Sequence, residues 1–358
     1  MKVALLTVLR NDLLEHFKYA KEAGMDIDVF TKGSEPTDTS QSRAFISNNN
    51  LNEVVYRSEA TLLNSLKEYD VISIYEFYGP VQKIIMEHFN NSVPEIAWNI
   101  PTYGFLWGKQ DWASECLTLA KEKVKSFVAR SQSVYDCLTQ EGIDKDKISL
   151  LHGGCDTDRF KPREKTRFKD KKVLLFVGRV QEQKGIFEIF HTFKRANLKD
   201  WVLVYVGGVH PTKPWDKKIL QKWIAKEGLT DKVFFIDAVP QPEVHKIFNL
   251  GDVFITLPNS DFKFVEQIGL TTPQALASGL PVITYNYGGQ ADFVDESCGF
   301  KVNFKGYPEA AKALIKLDDD SLRNKMSIAA REKAVKEYGM RKYARDIKKA
   351  YQLAINNE

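Results

Sequence analysis

The feature that most constrains this chain is a pattern met twice. Short runs rich in Val, Ile and Leu alternate with stretches of helical period. In the first half the runs are 2–9, 26–30, 70–75, 95–99 and 125–130; in the second they are 171–179, 201–208, 232–239, 252–258 and 280–286. Continuous apolar runs suit strands covered on both faces, and helical stretches between them imply right-handed crossovers into parallel sheets. A chain of 358 residues also exceeds what one hydrophobic core usually organises. Two α/β domains in tandem are therefore expected. The Gly- and charge-rich stretch 150–172 has a linker's composition. It sets the expected parts at 1–165, 166–340 and a C-terminal helix over 341–358, with the boundary near 160–170. A helix is predicted over 12–24, closed by Gly24. Residues 321–355 are predicted as two or three helices broken around Tyr338-Gly339.

Several functional classes are disfavoured by what the sequence holds. No run approaches the roughly 20 uncharged apolar residues of a membrane span. The apolar start of the chain is short, lacks a small-residue cleavage site and passes straight into Asp12, Glu15 and Lys18, so a first strand and a cytoplasmic location are expected. Cys116, Cys137, Cys155 and Cys298 are scattered without a C-x-x-C pair and read as reduced structural residues. The net charge of +4 is too small to suggest nucleic acid as a partner. Its basic excess lies in the second half, while the first 165 residues are acidic, which favours an anion site in the second half. Membrane association is not indicated. None of His16, His88, His152, His191, His210 and His245 stands in a metal-binding pattern; His16 alone, near the first strand–helix turn, invites a test. Asp156-Thr157-Asp158 has a D-x-D form but reads as a turn, and Asp318-Asp319-Asp320-Ser321 reads as a helix start. No metal site and no cofactor are expected.

Three spots carry chemistry. The first is Gly178-Arg179 at a strand end, followed by Lys184-Gly185 and a helix. Ligands of doubly wound sheets sit beyond the strands' carboxyl ends, where two fixed cations and a helix start suit a pyrophosphate. The second runs from Glu266 through Ile268, Gly269, Leu270 and Thr271 into a short helix bearing Gln274, closed by Gly279-Leu280-Pro281. Its amides could hold a phosphate and Gln274 could reach sugar hydroxyls. The third is the turn Tyr287-Gly288-Gly289-Gln290-Ala291-Asp292. Each spot alone is also compatible with an ordinary solvated loop.

Together, G-R-x4-K-G, then E-x-x-G-L-x-x-x-Q-A-x-A-x-G-x-P-V-I, then G-G-x-x-D resemble the donor domain of family 4 retaining glycosyltransferases. Gly154-Cys155-Asp156-Thr157-Asp158-Arg159-Phe160 and Ala129-Arg130-Ser131-Gln132-Ser133 add to the resemblance, which runs from about residue 125 to the C-terminus. It implies a GT-B fold: α/β, with two Rossmann-like domains facing across a cleft and a C-terminal helix crossing back. It implies that Arg179 and Lys184 neutralise the diphosphate leaving group and that Glu266 contacts the donor sugar. Gly178, Ile268, Gly269, Leu270, Thr271, Gln274 and Val239 would line the donor site. The donor implied is a nucleoside-diphosphate sugar, and the acceptor a carbohydrate or other hydroxyl compound. The chain departs from the family at several places. Gln274 stands where a carboxylate is usual, which predicts weaker or altered nucleotide binding; Asp292 replaces a Glu, Gln267-Ile268 replace Gly-Phe, and Asp237 stands where a glycine is common. The first half lacks both the Gly-rich turn and the histidine often found near residue 98.

For the acceptor, Arg10, Asn11, Glu76, Tyr78, Trp98, Asn99 and Tyr103 fall at predicted strand ends of the first half. Aromatic rings beside polar groups suit sugar faces, although such rings are more often core. Rival readings are a GT-B sugar-nucleotide epimerase or phosphorylase, and a non-catalytic nucleotide-sugar-binding relative. A dehydrogenase is disfavoured, since neither half shows G-x-G-x-x-G after its first strand.

Overall fold

The computed structural model describes residues 1–7, 14–32, 40–75, 80–89, 95–100, 111–209, 215–259, 266 and 268–356. The chain forms two compact units, 1–154 with 340–358, and 155–339. In the first, β1 (Lys2–Leu6), β2 (Asp26–Lys32), β3 (Asn52–Tyr56), β4 (Val71–Tyr75), β5 (Glu95–Ile100), β6 (Val124–Ala129) and β7 (Ile148–Leu150) form one parallel sheet. Its order is β3-β2-β1-β4-β5-β6-β7. The described helices are α1 (Ser40–Asn48), α2 (Glu59–Leu66), α3 (Pro80–His88), α4 (Asp111–Lys123) and α5 (Gln132–Gln140). Side chains alternate between the sheet's faces, as a pleat requires. Ala4, Leu6, Ile72 and Ile74 pack under Leu62, Ile85, Ala120 and Val134, whereas Val3, Leu5 and Val71 face the opposite layer.

The second unit holds β8 (Lys172–Val177), α6 (Ile186–Ala196), β9 (Trp201–Val206), α7 (Trp215–Lys226), β10 (Val233–Ile236), α8 (Val244–Phe248), β11 (Val253–Thr256), α9 (Thr271–Ala277), β12 (Val282–Tyr285), β13 (Gly299–Val302), α10 (Tyr307–Lys316) and α11 (Asp320–Glu337). Its parallel sheet has the order β10-β9-β8-β11-β12-β13. The last helix, α12 (Met340–Asn356), returns to the first unit. There Tyr343, Ile347 and Tyr351 join Val3, Leu5 and Val29 in one core, and the hydroxyls of Tyr351 and Ser73 lie 2.7 Å apart. The break at Tyr338-Gly339 stands where the sequence predicts it.

Three strands are absent from the sequence reading: β3, β7 and β13. Each lies at a sheet edge, where one side needs no partner strand and a long apolar run is not required. The helix predicted over 12–24 takes another form among the described residues 14–24: a 3-10 turn at Glu15–Phe17 followed by turns. Leu14, Phe17 and Ala20 are buried at a spacing of three, which a three-residue repeat aligns on one face.

The linker-like stretch 150–172 lies mostly within the second unit, because Phe160 anchors it. That ring is fully buried against Phe248, 5.6 Å between centroids. Arg331 Nη1 donates to the carbonyls of Thr157 (3.1 Å), Phe160 (2.8 Å) and Ala277 (2.8 Å). The Asp156 carboxylate accepts the amides of Asp158 and Arg159 at 3.1 and 3.2 Å, so this D-x-D forms a turn. Asp319 likewise caps α11 by accepting the Leu322 amide at 2.9 Å. All four cysteines are buried.

Candidate active site

The strand order of the second unit creates the site. From β8 the chain moves outward through β9 and β10, then returns to β11 on the other side of β8. That reversal leaves the loops after β8 and β11 diverging from neighbouring strands, the place where an open α/β sheet takes its ligand.

The loop after β8 is held from several directions. Gly178 and Val180 donate to the carbonyls of Val206 and Gly208, each at 2.9 Å. Asp216, buried at the start of α7, accepts the Glu182 amide at 2.8 Å. A 3-10 turn over Glu182–Lys184 ends at Gly185, whose φ of 73° allows α6 to begin at once. A Cβ on Gly185 would stand 1.6 Å from the Leu257 carbonyl oxygen. Only glycine lets the β11 loop lie so close. Asn259 then donates its amide to the Gln183 carbonyl at 3.0 Å.

This close approach brings Lys184 to Glu266, and their side chains form an ion pair with each about four-fifths covered. The Glu266 carbonyl accepts the Gly289 amide at 2.7 Å, which joins the Gly288-Gly289 turn after β12 to the same place. Gln290 in that turn is buried and donates from Nε2 to the Tyr287 carbonyl at 2.5 Å. α9 starts at Thr271 without a side-chain cap, the Thr272 amide reaching back to the Gly269 carbonyl at 2.8 Å. Ile268, Gly269 and Gln274 are buried, while Leu270 and Thr271 are half-buried. The three motifs, about 110 residues apart in sequence from Gly178 to Gly288, thus converge on one site. Arg179 leaves the end of β8 with an exposed side chain.

Val239 stands apart from these contacts. It follows β10, the edge strand two positions from β8. Asp237 beside it is exposed and pairs with Lys217 at 3.1 Å. Asp216 and Asn259 are positioning residues that the motif reading missed. Their spacing carries no signal, because each acts across elements distant in sequence.

Beneath the site, Glu188 occupies the third position of α6. Burial pushes its carboxyl above the ordinary glutamate range. Its Oε2 is enclosed without a hydrogen-bond partner among the described residues, as is the Tyr285 hydroxyl. Burial first, and the Glu188 charge second, push both Tyr205 and Tyr285 well up.

In the first unit, Arg10, Asn11, Glu76, Tyr78 and Tyr103 lie outside the described residues. Trp98 and Asn99 are on β5, in register with Ile74 and Tyr75 of β4. The described polar cluster there is Arg130, which follows β6 and is fully buried. Its Nη2 lies 2.9 Å from His16 Nε2, and its guanidinium stands over the Tyr343 ring at 5.2 Å. Burial lowers the Arg130 pKa, against the opposing effect of Tyr343 and Tyr351. His16 is thereby a satisfied core residue, edge-on to Tyr343 with centroids 5.0 Å apart.

Two α/β units with 3-2-1-4 sheet order, and a basic–acidic pair at the second unit's switch point, define a doubly wound architecture with a candidate ligand site in the second unit. Residues 158–333 match the family model "Glycosyl transferases group 1", a stretch that lies within the second unit. The putative glycosyltransferase YtcC of Bacillus subtilis is 26% identical over 275 residues, 73% of this chain and 65% of that protein. A D-inositol 3-phosphate glycosyltransferase of Corynebacterium glutamicum is 29% identical over 248 residues, 64% of this chain and 57% of that protein. The chain thus spans less than two thirds of the length of these curated relatives. Among solved structures, Anabaena Alr3699/HepE in complex with UDP superposes with a TM-score of 0.81 at 14% identity, covering 97% of this chain and 98% of that one. The fold is GT-B.

Proposed function

We propose that the protein is a retaining, metal-independent glycosyltransferase that moves a sugar from a nucleoside-diphosphate sugar to a hydroxyl acceptor. The observation that carries this reading is the Lys184–Glu266 pair at the switch point of the second sheet, with Arg179 at the end of β8. Breaking the anomeric C–O bond builds negative charge on the departing diphosphate and positive charge on the sugar. Lys184, held by its ion pair, and Arg179 answer the first as cations. Glu266 accepts sugar hydroxyls and, paired with Lys184, is held in place before the donor arrives. Lys184 and Arg179 supply positive charge in the role that a divalent ion has elsewhere, which is the basis for metal independence. That Anabaena HepE has been solved with UDP and with UDP-glucose favours a uridine nucleotide as the first donor to test.

The test is a thermal-shift screen against UDP, GDP, ADP and their sugar conjugates, on wild type, Arg179→Ala and Lys184→Ala. A nucleotide at 100 times its dissociation constant adds about 2.7 kcal/mol, a rise of roughly 5–10 °C for a unit of this size. Both variants should lose that rise, and sugar transfer should fall on the order of 10²-fold. If no nucleotide stabilises the wild type, the transferase reading fails. Gln274, an amide where the resemblance calls for a carboxylate, then favours a non-catalytic relative.

A further inference from the structure

Helix α7 presents a face that its own unit does not use. Asp216, Leu220 and Ile224 are buried and hold the helix to the second unit. One stripe further round, Trp215, Ile219 and Trp223 are 52%, 39% and 39% exposed. They stand at i, i+4 and i+8, one above another on the helix surface. Lys218, Lys222 and Lys226 form a second exposed stripe beside them at the same spacing. The helix's one carboxylate, Asp216, is turned inward to the Glu182 amide. The apolar stripe also continues beyond the helix. Trp223 meets His191 of α6 with ring centroids 5.5 Å apart, and His191 meets Tyr307, which is itself 37% exposed, at 5.5 Å.

We propose that α7 docks the protein onto an anionic phospholipid surface, an inference independent of the donor site. Tryptophan is the residue that settles at the headgroup level of a bilayer. Lysine stems lie along apolar surface while their ammonium groups reach lipid phosphates. A helix with an apolar stripe and a lysine row lies in that interface plane. Other partners fit less well. The stripe spans about 12 Å along the helix, short for the ~800 Å² per partner of a stable protein interface. A nucleic acid would call for stacking rings along the row, yet its central residue is Ile219. No described helix is long and apolar enough to cross a membrane, so contact of this kind is peripheral.

Vesicle sedimentation tests this, using phosphatidylcholine alone and phosphatidylcholine with one third phosphatidylglycerol. Two variants are compared with wild type: Trp215→Ser/Ile219→Ser, and Lys218→Glu/Lys222→Glu/Lys226→Glu. Trp223 is spared because it packs on Phe187, with centroids 4.9 Å apart. Wild type should sediment with the anionic vesicles and be released by salt. Each lysine near the surface contributes about fivefold, so the triple variant should bind more than tenfold more weakly. The Trp/Ile variant should also lose at least tenfold in partitioning, with an unchanged melting temperature and an unchanged nucleotide shift. The lysine variant alters exposed side chains only, so its result stands even if the apolar variant folds poorly. Absence of wild-type binding to anionic vesicles overturns the proposal. So does binding that neither variant weakens, or duplex DNA that displaces the protein from vesicles and binds the Trp/Ile variant as tightly as wild type.

Discussion

Replacing Gly185 with alanine tests the claim that the site is assembled by one close backbone approach. Two effects add. A residue with a Cβ in the left-handed conformation costs about 1–2 kcal/mol, partly offset by about 0.4–1 kcal/mol from a stiffer unfolded chain. The new methyl must also displace the Leu257 carbonyl, which it would meet at 1.6 Å. Moving that strand end strains the Asn259–Gln183 bond and the Lys184–Glu266 pair, about 1 kcal/mol for the first and about 1.5–3 kcal/mol for the second. The expected loss is thus about 3–5 kcal/mol, or at least roughly 6 °C in melting temperature for a unit of this size. Gly228 supplies the control. It is left-handed too, with φ 66°, but nothing lies within 4 Å of where its Cβ would be. Gly228→Ala carries the backbone term alone and should lose no more than about 1.5 kcal/mol. The assay is thermal unfolding of both variants, with and without the stabilising nucleotide. Gly185→Ala should melt far below Gly228→Ala and lose the nucleotide response. Equal melting temperatures, with the response intact in both, would refute the reasoning.

Three further outcomes follow from particular contacts. Because burial raises the Glu188 pKa, the folded state binds its proton more readily than the unfolded state does, and stability falls as pH rises above the ordinary value of 4.5. Glu188→Gln should therefore melt higher than wild type at pH 7, with the gain vanishing below 4.5; a constant gain at all pH values would rule out titration as its source. Burial pushes the Asp295 carboxyl up, but the Lys333 ammonium and the Ser297 hydroxyl and amide more than offset this, holding it well below the ordinary aspartate value. That stabilisation is present above pH 3.8 and is lost as pH falls further, so Lys333→Met should flatten the acid limb of a stability–pH profile. Tyr351→Phe removes the buried bond to Ser73 that helps hold α12, and should cost about 1 kcal/mol. A denaturant melt of the variant superimposable on wild type would show that apolar packing alone holds that helix.

Much of this architecture is legible without coordinates, for a local reason. Ten of the strands announce themselves because a strand covered on both faces must be apolar throughout, as Trp201–Val206 is. The break between α11 and α12 is written in Tyr338-Gly339. Arg179, Lys184, Glu266 and the glycine turns stand out as candidates because together they resemble a donor-site motif set, and the structure brings Lys184, Glu266 and the Gly288-Gly289 turn together. The edge strands β3, β7 and β13 stayed hidden, since an edge relaxes the demand for apolar residues. The stretch 150–172 reads as a linker by composition, yet a single aromatic, Phe160, commits it to the second unit.

What tertiary structure alone decided is which distant residues meet. The return of the chain from β10 to β11 across β8 puts Glu266 against Lys184. Asp216 and Asn259 hold the loop between them, although neither stands in a recognisable motif. Arg130 and His16 share a buried contact across 114 positions. Trp215, Ile219 and Trp223 are exposed on α7. Only the packing of Leu220 and Ile224 shows which apolar stripe of that helix is covered. Periodicity and residue chemistry are properties of short segments, and the sequence determines them. Sheet order and helix rotation depend on which apolar faces cover one another, a balance struck by the whole chain.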